Sequence, residues 1–351
     1  MAIRVPKKTM LLLTAAALVW IALPVVVRST QQRGQAPINP ASGTAARAVT
    51  AANAFLATLT EAERAKAAFP FDSPQKTNWS NLPSPMYPRH SLKLGDLTPP
   101  KRDAVMALMA VVLSREGYQK ALDIMNGDEV LKNNQGGKGG GPQFGLSEYF
   151  IAILGTPSAT TPWMVQFGGH HLALNITIVG ASNVLTPSLP AAQPATYTLN
   201  GQSIRPLGDE NDKGFALINA LDAGQQAKAI LASRVTDLVL GPTQDGKVIQ
   251  PEGLLASAMT AAQQNMLIDL AHEWVGILND EGAGSKMAEI RANLAKTYFA
   301  WSGPTTNGSV AYFRIQGPTV VIEYAPQKTV DHIHTIYRDP TNDYGAGLIK
   351  R

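Results

Sequence analysis

The chain has 351 residues, 45% hydrophobic and 16% charged, with 24 Pro, 30 Gly and no Cys. That apolar fraction can fill the core of one large domain or two modest ones, and it argues against a disordered chain, a collagen-like repeat or a disulfide scaffold. Without cysteine there is no thiol nucleophile and no thiolate-held metal, so imidazole and carboxylate are the donors left for an ion.

The formal charge of +4 is an N-terminal property. Of the 30 Lys and Arg, five (Arg4, Lys7, Lys8, Arg28 and Arg33) lie in residues 1–35 beside no acid, which leaves 25 against 26 Asp and Glu. A near-neutral body with no cluster of basic and aromatic residues argues against a nucleic-acid partner. Within 1–35, the basic start and the uncharged run from Met10 to Val27 predict an export leader, either a cleaved signal peptide or an uncleaved inner-membrane anchor. The expected location is therefore periplasmic or secreted, and residues 36–44 read as a linker.

From 45 to 69 the sequence is Ala-rich and helical, with a capping-box spelling at Thr60 and Glu63 that opens a second short helix. Residues 70–100 are proline-rich and predict an extended wrapping segment. Thr98-Pro99-Pro100 launches a helix to about 113, and another is expected over 117–125. The glycines of 133–145 predict a loop, and Lys138 lacks the neighbours of a phosphate-binding loop.

Strand patterns follow. Residues 163–179 alternate as one long strand, with His170, Leu172, Leu174 and Ile176 on one face and His171, Ala173, Asn175 and Thr177 on the other. A hairpin is predicted over 196–204, turning at Asn200-Gly201. Helices are expected at 214–232, 253–278 and 285–299, and strands at 236–240, 310–315, 319–324 and 330–337. The order predicts an α+β fold, an antiparallel sheet with helices packed on or beside it, as a single domain over 45–351. No internal repeat and no dinucleotide-binding glycine motif is read from the chain.

The chemistry lies in two histidine motifs, Gly168-Gly169-His170-His171 and Asp331-His332-Ile333-His334. Residues two apart on a strand share a face, so His332 and His334 can close on one ion. Adjacent His170 and His171 would point apart unless the glycines mark a bulge. His171 is the better ligand candidate, with His170 on the probable core face. Glu323, on the preceding strand, could turn its carboxylate to the same pocket. Alternation also carries Arg338 onto the face of His332 and His334, where it could hold substrate charge, with Asp343 and Asp339 orienting imidazoles. His272-Glu273 is followed by Gly276, so the zinc-protease helix motif is absent.

The blocks Trp163 to Asn175, Tyr312 to Glu323 and Asp331 to Gly345 resemble the signatures of an uncharacterised bacterial family of exported domains of unknown function. The resemblance covers nearly the whole body of the chain. It implies that GGHH, the glutamate and HxH belong to one fold, and it carries no activity.

Imidazoles with one carboxylate suit a divalent transition metal. The first functional expectation is a metal-dependent hydrolase, with zinc as the favoured ion, acting on a small-molecule or peptide-like substrate. Arg338 and Asp343 are its candidate catalytic residues. A copper or iron oxidoreductase on the same ligands and a non-enzymatic metal-binding module are the alternatives.

Overall fold

The computed structural model describes residues 43–135 and 141–349. The leader, almost all of the linker and the middle of the glycine-rich loop lie outside the described residues. Among those described, no helix is long and apolar enough to cross a membrane.

The chain opens with helices α1 (Thr44–Thr58) and α2 (Glu61–Ala67), the second closed by the Thr60–Glu63 capping box. Two short strands, β1 (Ala68–Phe69) and β2 (Leu92–Lys93), bracket the proline-rich segment. Helices α3 (Pro99–Val112) and α4 (Arg115–Gln135) follow. Then come four strands: β3 (Phe150–Leu154), β4 (Trp163–Gly169), β5 (Leu172–Val179) and β6 (Ser182–Pro190). The hairpin β7 (Tyr197–Leu199) and β8 (Gln202–Ile204) turns at Asn200-Gly201 as expected. Next are α5 (Gly208–Ala220), α6 (Ala223–Ala229), β9 (Leu254–Leu255), α7 (Ala261–Val275) and α8 (Asp280–Ala292). Strands β10 (Tyr298–Ser302), β11 (Tyr312–Gly317), β12 (Val320–Pro326) and β13 (Ile333–Arg338) complete the sheet, and a short α9 (Ala346–Ile349) ends it.

The expectation of no internal repeat is overturned. Two helices, a short strand (β2 or β9), two more helices and four meandering strands occur in the same order before and after β7–β8, with β1 an added short strand in the first copy. The sheet runs β3-β4-β5-β6-β13-β12-β11-β10, so the two meanders meet head to head through antiparallel β6 and β13. Such a palindrome has a pseudo-two-fold axis between its central strands.

The matches extend to single hydrogen bonds. Thr60 caps α2 with Glu63, and Asp222 caps α6 with Gln225. Glu63 then pairs with Lys101, 38 residues on, where Gln225 pairs with Gln263, also 38 residues on. Arg64 donates to the Leu56 carbonyl as Gln226 does to that of Ile218. Ile230 bridges Trp301 in parallel as Ala68 does Ile153. These equivalences preserve the job and change the residue, so letter-by-letter comparison misses them.

Both faces of the sheet are covered. On one, α1, α3 and α4 bury Ile151, Val165, Phe167, Leu174 and Ile176. On the same face, α5, α7 and α8 bury Phe299, Trp301, Phe313, Ile322 and Tyr337. The Trp274 indole of α7 donates to the Thr335 hydroxyl from that side. The proline-rich segment and residues 230–253 cover the opposite face, where Trp79 and Leu238 pack with Ala173, Leu189 and Ile336. A sheet buried on both faces loses polar–apolar alternation and reads as apolar runs. The result is one main α+β domain.

Several element boundaries shift. The expected helix over 214–232 is two helices broken at Leu221-Asp222, and 236–240 is an irregular covering segment rather than a strand. The helix expected from 253 starts at Ala261, after β9, and that expected to 299 stops at Ala292, before β10.

Candidate metal centre

The expected single strand over 163–179 is a tight hairpin. Gly169 pairs with Leu172, which leaves His170 and His171 as its two turn residues. His171 takes the left-handed conformation, φ 59°, which a bulky residue adopts only where its surroundings demand it. Both glycines are sterically required. A Cβ on Gly168 would meet the Leu172 carbonyl oxygen at 2.3 Å, and one on Gly169 the Glu148 carbonyl oxygen at 2.8 Å. The motif is a tight turn with two rings mounted on it.

The turn sits beside the entry to β13. Leu172 pairs with Pro190 at the end of β6, and Ala192, two residues on, bridges Ile333. His332 and His334 therefore reach the same end of the sheet as His171. The Nε2 atoms of His171 and His332 are 3.0 Å apart, as are those of His332 and His334. Bonds of about 2.0–2.1 Å to a tetrahedral zinc set ligand nitrogens about 3.3 Å apart, close to this spacing. Without an ion the three nitrogens satisfy one another poorly, because one N–H on His332 cannot point at both neighbours.

Burial, reinforced by His170, His334 and His332, pushes the His171 pKa well below the usual imidazole value. Burial and His334 bring that of His332 to about 4. Both rings are thus neutral at physiological pH, the form that binds metal.

The surrounding residues hold this geometry. Asn81, from the proline-rich segment, places Nδ2 3.2 Å from His334 Nε2. Asp237 Oδ1 lies 3.5 Å from His334 Nδ1. Burial raises the Asp237 pKa, but the His334 and Leu238 hydrogen bonds outweigh it and leave it lowered. Arg89 donates to the carbonyls of Ser80, Leu82 and Gly169, tying the strap that carries Asn81 to the histidine turn. A cleft of about 330 Å³ opens at His334, lined by Asn81, Asp237, Val239, Gln244 and Lys247.

His170 stacks on the His171 ring and reaches under α4. Its Nδ1 is 2.5 Å from Asp128 Oδ1, and both side chains are buried. One ligand atom from each of Asp128, His170 and His171 falls within 4.8 Å of the others, as is also true of His171, His332 and His334. The site is thus two adjoining clusters that share His171, able to coordinate a metal ion.

The other candidates lie elsewhere. Glu323 is on the expected face, but its carboxylate accepts from the Val239 and Leu240 amides and the Tyr312 hydroxyl, and it belongs to neither cluster. Arg338 and Asp343 pair with each other, and Arg338 also donates to Asp245 and to the Leu240 and Gly241 carbonyls. This network clamps residues 240–245 over the sheet. Asp339 accepts from Lys286 and Thr341 and meets no imidazole. Asp128, Asn81, Asp237 and Arg89 were not singled out in sequence, because no spacing ties an isolated Asp, Asn or Arg to a histidine far along the chain.

A family model described as "Protein of unknown function (DUF3500)" matches residues 41–346. No curated protein and no solved structure matches the chain.

Proposed function

The chain belongs to the DUF3500 family, and from its histidine centre we propose that it is a metal-dependent hydrolase acting outside the cytoplasmic membrane. One observation carries the reading: three imidazoles converge their Nε2 atoms, His332 standing 3.0 Å from both His171 and His334, beside a cleft. Three protein ligands leave a tetrahedral ion one open position, the arrangement of catalytic rather than structural zinc sites. An ion held there supplies Lewis acidity and an activated water.

The chain's own groups set the rest. Asp237 orients the His334 ring through its Nδ1, as carboxylates do behind ligand imidazoles. The Asn81 amide stands at the cleft as a hydrogen-bond donor for a bound oxygen. Lys247, on the cleft wall, favours a substrate bearing negative charge, which suits a small carboxylated molecule or peptide. Export rests on the basic start and the uncharged run from Met10 to Val27.

Elemental analysis of the full chain purified without a polyhistidine tag tests the reading. Zinc supports hydrolysis, whereas copper or iron at this thiolate-free site points to redox chemistry. Protein that contains no transition metal and takes none up refutes the metal centre.

A further inference from the structure

Resting on that metal-centre reading, we infer that the site holds two ions, bridged by the ring of His171. The two clusters share this one residue. Its Nε2 faces His332 at 3.0 Å. Its Nδ1 is buried and makes no hydrogen bond. A buried ring nitrogen left unpaired is costly, and His171 is also held at a positive φ, so the fold accepts two local penalties to present this ring.

The inner cluster lies against the same ring, whose Nδ1 is the nitrogen left free for it. The His170 ring lies over that of His171 with centroids 3.6 Å apart, and Asp128 completes the group from α4. Asp128, His170 and His171 are 1%, 5% and 2% exposed. Asp128 pairs through Oδ1 with His170 and accepts the Gly145 amide at Oδ2, with the Arg89 guanidinium acting on it through space. A divalent ion between this buried carboxylate and two imidazoles would add to the charge that satisfies it. A ring bound through both nitrogens has lost its N–H, so filling both positions releases one proton to solvent.

The two positions differ in access. The inner one, under α4, is closed to solvent and suits a structural ion, while the outer one, with His332 and His334, borders the cleft. The pseudo-two-fold partner of the His170-His171 turn is the Pro318-Thr319 turn between β11 and β12, which offers no ligand. The His170-His171 turn therefore carries ligands that its counterpart in the other unit lacks.

The test is stoichiometry. Full-length untagged protein is stripped with chelator, reloaded with Cu(II), dialysed and assayed by mass spectrometry and electron paramagnetic resonance. Two ions per chain with a spin-coupled spectrum are expected. Asp128→Asn and His170→Ala should each retain one ion with an uncoupled signal, and so should the His332→Ala/His334→Ala double variant. Circular dichroism checks that the variants fold, and the wild-type stoichiometry decides the matter if they do not. One ion per chain in wild type, unchanged in Asp128→Asn, overturns the pair while leaving the outer centre intact. No bound ion removes both.

Discussion

His171 and His332 stand 161 residues apart in the chain, yet their Nε2 atoms are 3.0 Å apart. The contact follows from strand order. The β4–β5 turn, the end of β6 and the start of β13 lie side by side at one end of the sheet. The centre thus forms only where the two duplicated units join, and neither unit alone holds all of the outer ligands.

Removing an outer imidazole should therefore break the chelate without breaking the fold. His332→Ala and His334→Ala are each expected to weaken zinc binding by about 100-fold or more, beyond the usual cost of losing an outer-shell partner. His90 and His272 are exposed and outside both clusters, so His90→Ala and His272→Ala should bind as wild type does. Competition with a chromophoric chelator measures all four. A double His332→Ala/His334→Ala variant that still binds at the wild-type level would falsify the outer centre.

Asp237 offers a milder test. Asp237→Asn keeps the size of the side chain and loses the charge beside His334 Nδ1. A drop of about 10-fold in zinc affinity is expected with no change in melting temperature, since the carboxylate is largely exposed. An unchanged affinity would mean that Asp237 does not orient the ring.

Arg338 should behave in the opposite way. Arg338 is 3% exposed, and its guanidinium joins Asp245, Asp343 and two carbonyls. Arg338→Ala strands those partners and should cost about 3 kcal/mol of stability, the scale for breaking a buried pair. Metal content of the folded fraction should be unaltered. Loss of metal at full stability would return Arg338 to the site.

Sequence patterning located the histidines and the shared face of His332 and His334, because period-two alternation on β13 survives in the letters. It hid β3 and β10, whose segments Phe-Ile-Ala-Ile-Leu and Tyr-Phe-Ala-Trp-Ser are apolar on both faces of a doubly covered sheet. It hid β6 because Pro187 and Pro190 speak against a strand. The turn at His170-His171 was masked by alternation that runs through it unbroken. Asp128 could not be read at all, since its role depends on α4 packing over a hairpin formed later in the chain.

The duplicated helix pairs allow a prediction in pH. Lys101, then the Thr60 amide and hydroxyl, hold the Glu63 pKa down to about 2 from its ordinary value of 4.5. A carboxylate depressed in the folded state stabilises fully above its unfolded pKa, and that contribution fades as pH falls toward the folded value. Glu63→Gln should lower the urea midpoint at pH 7, and its deficit relative to wild type should shrink steadily below about pH 4.5. The counterpart pair, Gln225 and Gln263, has no charge to titrate, so Gln225→Ala should show a deficit independent of pH over the same range. A Glu63→Gln deficit that stays constant down to pH 2 would contradict the assignment.

The histidine turn gives the most direct link between backbone and chemistry. A methyl on Gly168 would press on the Leu172 carbonyl oxygen at 2.3 Å, and that oxygen belongs to the backbone of the paired strand. No side-chain rotation relieves the clash. The hairpin must open by several tenths of an ångström, moving His170 and His171 with it. Gly168→Ala is expected to cost about 1–3 kcal/mol, the range for overpacking a filled interior. Its metal affinity should fall as well, because the His171 ring leaves its 3.0 Å approach to His332. Gly284, in the middle of α8, has open space around its missing Cβ. Gly284→Ala should therefore leave metal binding unchanged and raise stability by up to about 1 kcal/mol through helix propensity. Thermal melts with and without zinc compare the two. A Gly168→Ala protein that melts and binds zinc like wild type would show that the tight turn does not set the position of the rings.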